Sequence, residues 1–82
     1  MSEENITPEE RQKARLNAPQ YLTELRDLGL SFERISVSMG EVLGGADPSV
    51  TSIKRWKAGK NLPSVAFSFA LATVYKKEKG NE

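Results

Sequence analysis

Residues 47–60 carry the side chains of this chain that are best suited to bind a partner molecule. The segment reads DPSVTSIKRWKAGK, with Asp and Pro at its start, small polar residues next and Gly near its end. Asp and Pro favour the start of a helix and Gly favours its end, so the pattern predicts a short helix over residues 48–58. The cations of the segment are Lys54, Arg55, Lys57 and Lys60. A helix that is polar at its front and basic along its length is suited to lie in a groove of DNA.

The composition argues against enzymatic chemistry. The chain has no cysteine and no histidine, which removes disulfides, thiolate nucleophiles, imidazole bases and the usual zinc sites. Two carboxylate groupings, Glu9 with Glu10 and Glu41 with Asp47, remain as candidates, but helix capping explains the first. Glycine-rich phosphate-binding loops are absent. We therefore expect a protein that is not an enzyme and that uses no cofactor and no metal.

The length and hydropathy indicate one small domain. A chain of 82 residues with 38% hydrophobic residues supports one modest core. The acidic start differs from a signal peptide, and no apolar run approaches the roughly 18 residues that span a bilayer. We expect a cytoplasmic protein without membrane contact. Its folded domain is predicted over residues 7–78, between a disordered segment (residues 1–6) and a frayed end (residues 79–82).

The net charge of +1 conceals an uneven distribution. Residues 1–47 carry five Lys/Arg against nine Asp/Glu, or −4, whereas residues 48–82 carry seven against two, or +5. The positive half begins where the candidate helix begins, which favours a polyanionic partner for that half. Lys76, Lys77 and Lys79 are also consistent with a solvated basic tail.

Apolar spacing predicts an all-α fold, a compact bundle of about five helices. Thr7 and Glu10 have capping-box spacing at the start of a first helix over residues 9–17. That helix has little apolar surface, so we expect it to be weakly anchored. A break is expected just before Pro19, followed by a second helix over residues 19–28.

The three remaining helices follow from similar signals. Ser31 caps a helix that continues through Gly40 to about residue 43, and a four-residue turn over residues 44–47 follows. Asp47 is predicted to cap the next helix, residues 48–58, with Pro48 at its first position. The last helix, about residues 64–77, is apolar nearly all round, which predicts burial of two sides. One side would close the core, and the other is a candidate dimer interface.

Two segments together resemble the Cro/CI-like (XRE) helix-turn-helix family of DNA-binding proteins. Residues 25–36, LRDLGLSFERIS, are similar to its first two helices. Residues 52–64, SIKRWKAGKNLPS, are similar to its recognition helix and the loop that follows. The resemblance spans residues 25–64, half of the chain, and its most specific element is the W-x-x-G-x-x-x-P ending.

The chain departs from the family pattern at two places. The family usually turns directly after the position of Gly40, whereas here residues 41–47 intervene. We interpret them as one or two more helical turns followed by a relocated turn, which would alter the angle between the two helices. Phe32 stands where the family commonly has a glutamine that binds phosphate, and we expect Phe32 to belong to the core.

The resemblance implies which residues contact DNA. Base contacts would come from the front of the recognition helix and from one residue a turn later: Ser49, Val50, Thr51 and Arg55. Each has a structural alternative, since Ser49 can be a helix cap, Val50 a core residue and Arg55 a solvated charge. Phosphate contacts, which position the helix without reading sequence, would come from Ser52, Lys54, Lys57, Lys60 and Asn61. Ile53 and Trp56 would face inward.

The resulting hypothesis is a sequence-specific double-stranded DNA-binding transcriptional regulator of bacterial or phage type, a repressor rather than an activator. One such unit reads few base pairs, so we expect a homodimer with half-site centres about 34 Å apart. The last helix is the first candidate for the dimer interface, and the first helix is the second. Two alternatives are a protein-interaction module, such as an antitoxin or adaptor, and an architectural or excision accessory DNA-binding protein.

Overall fold

The computed structural model describes residues 6–80, which form five helices and no strand. The helices are α1 (Pro8–Leu16), α2 (Ala18–Asp27), α3 (Phe32–Val42), α4 (Val50–Lys57) and α5 (Val65–Lys79). The predicted all-α bundle is therefore confirmed. Ile6 already packs against the core, one residue before the predicted start of the domain, and α5 continues one residue past the predicted end. The disorder predicted for residues 1–5 and the fraying predicted for residues 81–82 lie outside the described residues.

A single hydrophobic core lies among the helices. Its largest fully buried apolar side chains are Leu22 and Leu25 of α2, Ile35 and Met39 of α3, Ile53 of α4 and Leu71 of α5. Helix α5 packs against α1, α2 and α3, whereas α4 packs against α2 and α3. Each such side chain stabilises the fold by about 1.5–3 kcal/mol through burial. The short helix α4 is thus held by its share of this core.

Hydroxyl side chains define where most of the helices begin. The N-caps Thr7, Ser31, Ser49 and Ser64 each accept a hydrogen bond from the backbone N–H three residues later. At α1 the Thr7 N–H in turn donates to Glu10 Oε1 at 2.9 Å, which confirms the predicted capping box. This backbone hydrogen bond lowers the pKa of Glu10. A break does separate α1 from α2, but it lies at Asn17, one residue before the predicted position, because Ala18 is already the first residue of α2.

Helix α1 is anchored by a small residue rather than a large one. Ala14 is fully buried, which lets α1 approach α5 closely. Arg15 Nε donates to the Pro63 carbonyl at 3.2 Å, and Lys76 of α5 lies 3.4 Å from the Glu10 carboxylate. The prediction of a weakly anchored segment is wrong because large apolar side chains are not needed where two helices pack this closely.

A polar cluster centred on Glu24 joins α2 to the C-terminal part of α5. Glu24 Oε1 accepts from Tyr75 Oη at 2.8 Å and lies 2.8 Å from Lys79 Nζ, while Oε2 accepts from Gln20 at 3.0 Å. The Tyr75 ring stacks on Tyr21 with centroids 3.8 Å apart. The hydrogen bonds from Lys79, Tyr75 and Gln20 lower the pKa of Glu24 to about 2.

The Glu24 cluster predicts a loss of stability in acid. Because the pKa of Glu24 is lower in the folded chain than its ordinary value of 4.5, its contribution is fully present above that value. The contribution is lost as the pH falls through 4.5 towards about 2. We expect urea unfolding midpoints of the wild type and Glu24→Gln to differ at pH 7 and to converge near pH 2. Parallel pH profiles for the two proteins would contradict this assignment.

Candidate nucleic-acid interface

One face of helix α4 packs against the core of the domain. Ile53 is fully buried, and Trp56 is 5% exposed with its ring 5.4 Å from that of Phe67 in α5. Both residues were predicted to face inward, and both are confirmed. Because an α-helix has 3.6 residues per turn, the side chains opposite Ile53 and Trp56 point away from this buried contact.

The solvent-facing side of α4 carries most of the predicted DNA contacts. Thr51, Lys54 and Arg55 are exposed along the helix. Val50, Ser52 and Lys57 are half-buried at the borders of this face, so Val50 is not a full core residue. Lys60 and Asn61 are exposed just after the helix ends. We call the exposed residues Thr51, Lys54, Arg55, Lys60 and Asn61, together with the half-buried Lys57, the α4 face.

The start of α4 differs from the prediction. The N-cap is Ser49, not Asp47, and the helix covers Val50–Lys57 rather than residues 48–58. Ser49 Oγ accepts from the Ser52 N–H at 3.1 Å and donates to Ser52 Oγ at 2.9 Å, so the cap interpretation of Ser49 is confirmed. Pro48 lies buried before the helix, and its carbonyl accepts a hydrogen bond of 2.6 Å from Ser36 Oγ of α3. That tertiary hydrogen bond holds Pro48 outside the helix.

The connection between α3 and α4 spans residues 43–49, seven residues rather than the predicted four. Helix α3 ends at Val42, so it gains two residues after Gly40 and not the one or two further turns expected. Gly44 and Gly45 have positive φ angles of 77° and 110°, which confirms them as the stop signal because side chains disfavour this region. The Gly45 N–H donates back to the Gly40 carbonyl at 2.7 Å.

Gly40 lets this connection lie directly on α3. A Cβ at residue 40 would overlap the Asp47 carboxylate and lie 3.1 Å from Asp47 Cα. The absence of a side chain therefore sets how closely the residues before α4 approach α3. Glycine has a low helix propensity, yet this close approach of Asp47 explains why glycine is needed at residue 40.

Replacing Gly40 with alanine tests this packing. In an ordinary helix interior the change stabilises by about 1 kcal/mol. Overpacking against Asp47 costs about 1–3 kcal/mol, so we expect a net loss of up to about 2 kcal/mol in the free energy of unfolding. Urea denaturation measures it, with Ser38→Ala in the same helix as a control that should be neutral or stabilising. A more stable Gly40→Ala protein would show that the connection is not held this closely.

The cations of the α4 face are not neutralised by the carboxylates that the structure describes. Lys54, Arg55, Lys57 and Lys60 form no ion pair with any carboxylate of residues 6–80. Two lysines of the C-terminal part of α5 behave differently, because Lys76 pairs with Glu10 and Lys79 with Glu24. The structure thus separates two groups of cations that look alike in the sequence. The cations at α4 remain available to an external anion.

Sequence reasoning missed one contributor to this surface. Phe32 is half-buried at the first position of α3, rather than fully in the core. The Arg26 guanidinium carbon lies 4.5 Å from the centre of its ring, and Lys54 Nζ lies 5.5 Å from it. Arg26 belongs to α2, so no spacing along the chain indicates that it would lie against the same aromatic ring as a lysine of α4.

Comparisons of the chain with family models, with characterised proteins and with solved structures find no match. The resemblance to the helix-turn-helix family therefore stays an expectation. None of the helices formed by residues 6–80 has the length and apolarity to cross a membrane. Within the same residues, His, Cys, Asp and Glu nowhere form a group of three that could hold a metal ion.

Proposed function

We propose that this chain is a sequence-specific DNA-binding transcriptional regulator that inserts α4 into the major groove of double-stranded DNA as a homodimer. The observation that carries the proposal is the α4 face. Its cations form no ion pair with a carboxylate of residues 6–80, and they lie on or just after a helix whose opposite side is buried in the core through Ile53 and Trp56. A rigid helix with an uncompensated positive surface matches a polyanionic groove.

The exposure of each residue supports a division of roles. Arg55 has the length and fork geometry to pair with a guanine, and Thr51 and the partly exposed Val50 can contact neighbouring bases. Ser49 already uses its hydroxyl in the cap and would contribute mainly by starting the helix. Phosphate contacts would come from Ser52, Lys54, Lys57, Lys60 and Asn61.

Repression requires the fewest contacts of any form of transcriptional regulation. A bound dimer covering a promoter blocks transcription by occupancy alone, without a second contact to the transcription apparatus. The competing role of an architectural accessory factor requires bending of the bound DNA. Electrophoretic measurement of the bend angle on the selected site separates the two roles.

The proposal is tested by selecting bound sequences from random duplex DNA and then comparing variants on the selected site. We expect Arg55→Ala to lose about 1–3 kcal/mol of discrimination at one base pair, because its bidentate contact disappears. Lys57→Ala should weaken binding to all sequences and reduce the slope of log K against log salt by about 0.9 per subunit.

The matched control for these variants is Lys77→Ala, a removal of the same charge at the far end of α5 from Phe67, which contacts Trp56. It should leave site affinity nearly unchanged. Enrichment of no sequence at moderate salt would overturn the proposed function. Equal losses for Lys57→Ala and Lys77→Ala would show that binding follows net charge and not the α4 face.

The dimer interface is proposed on the outer side of the N-terminal half of α5. Val65 is 60% exposed, Leu62 just before the helix is 50% exposed, and Ala66 is also exposed. Phe69, one turn after Val65, is half-buried. Residues 61–75 contain no charged side chain in a chain that is 28% charged. In a two-fold dimer a surface meets its own copy, so an uncharged apolar patch avoids like-charge repulsion.

Placing a charge on this patch should separate the subunits. Val65→Glu puts a carboxylate at the first position of α5, where the helix dipole tolerates it, so the fold should be kept. Across a two-fold axis the two carboxylates would repel and lose apolar contact, and we expect the dimer dissociation constant to rise by about tenfold or more, or roughly 1.4 kcal/mol.

Sedimentation equilibrium measures this constant for Val65→Glu and for the control Val37→Glu, which alters a 43% exposed valine on α3. The control should dimerise like the wild type. A wild-type protein that is monomeric both free and on DNA would refute the dimer, and dissociation caused only by Val37→Glu would move the interface to α3.

A further inference from the structure

Two cations from different helices lie against the ring of Phe32. Arg26 comes from the last turn of α2 and Lys54 from the exposed face of α4, and they lie 4.5 Å and 5.5 Å from the ring centre. Both distances are within the roughly 6 Å at which the negative face of an aromatic ring attracts a cation. Arg26 Nη1 also donates to the Leu30 carbonyl at 3.3 Å, which restricts its position further.

The ring holds these cations without cancelling their charge. Asp27 follows Arg26 and Glu33 follows Phe32 in the sequence, yet neither carboxylate forms an ion pair with Arg26 or Lys54 in the described chain. A carboxylate partner would neutralise a cation and occupy its N–H donors. An aromatic face attracts the charge and leaves most of the donors free. Phe32 therefore restrains two positive groups that can still bind an anion.

We propose that Phe32 is a positioning residue that holds Arg26 and Lys54 in place to contact the DNA backbone beside the groove that α4 enters. The inference rests on the proposed function and adds Arg26, a residue of α2, to the DNA-binding surface. Long cationic side chains lose rotamer freedom when they bind phosphate. Restraining them beforehand reduces that loss and so strengthens binding.

The restraint can be measured on the free protein by NMR. Protons held over an aromatic ring shift upfield, so the terminal methylene protons of Lys54 and Arg26 should resonate upfield of other lysines and arginines. Phe32→Leu keeps an apolar side chain and should abolish these shifts, whereas Phe32→Trp should keep them. Ordinary shifts for both residues in the wild type would overturn the inference before DNA is added.

The consequence for binding is measured on a selected DNA site over a range of salt concentrations. Arg26→Ala should reduce the slope of log K against log salt by about 0.9 per subunit, as expected for one lost phosphate contact. Phe32→Leu should lower affinity by about fivefold or more, and Phe32→Trp should restore it. Arg34→Ala, which removes an arginine that lines a cavity with Thr73 and Lys77 between α3 and α5, is the control and should keep the wild-type slope.

The outcomes separate this inference from the proposed function. A wild type that binds no selected DNA overturns both. A wild type that binds DNA while Arg26→Ala keeps its slope and Phe32→Leu keeps its affinity overturns the role of Phe32 alone. If Phe32→Leu and Phe32→Trp lose affinity equally while both remain folded, the ring does not act through its attraction for cations, and the inference fails.

Discussion

The close packing of the α3–α4 connection on α3 determines where the exposed face of α4 points. Gly40 has no side chain, so Asp47 can lie against it, and Ser36 binds the Pro48 carbonyl at 2.6 Å. These contacts fix the last residues before Ser49, the cap of α4. Because Ile53 and Trp56 then seat the helix in the core, neither end of α4 is free to reorient. The orientation of the α4 face follows from these contacts at both parts of the helix.

The packing of the helices also determines which lysines lie close to a carboxylate. Lysines occur both near α4 and near the end of α5, and each group could have been a solvated tail. The fold places Glu10 and Glu24 beside Lys76 and Lys79, where these charges tie α1 and α2 to α5. No carboxylate of the described residues reaches the cations of α4 in this way. The domain thus uses one set of cations for its own cohesion and leaves the other set exposed.

Local signals predicted much of the helical framework because they act between residues close in sequence. The capping box of Thr7, the stop at Gly44 and Gly45, and the inward side of α4 all depend on spacings of one to four residues. Errors appeared where distant contacts override local preference. Asp-Pro is a good helix start, yet the hydrogen bond from Ser36 keeps Pro48 outside the helix. Similarly, Ala14 anchors α1 only because α5 lies close enough to bury it.

Periodicity and capping are properties of the local chain, so the order of residues alone predicts the all-α class, a short basic helix and the residues of that helix that face the core. Helix packing sets which cations pair with the described carboxylates, how long the α3–α4 connection is and that Arg26 and Lys54 both lie against the ring of Phe32. These features join residues from different helices. Their distances depend on how the helices pack, and no spacing along one segment encodes that.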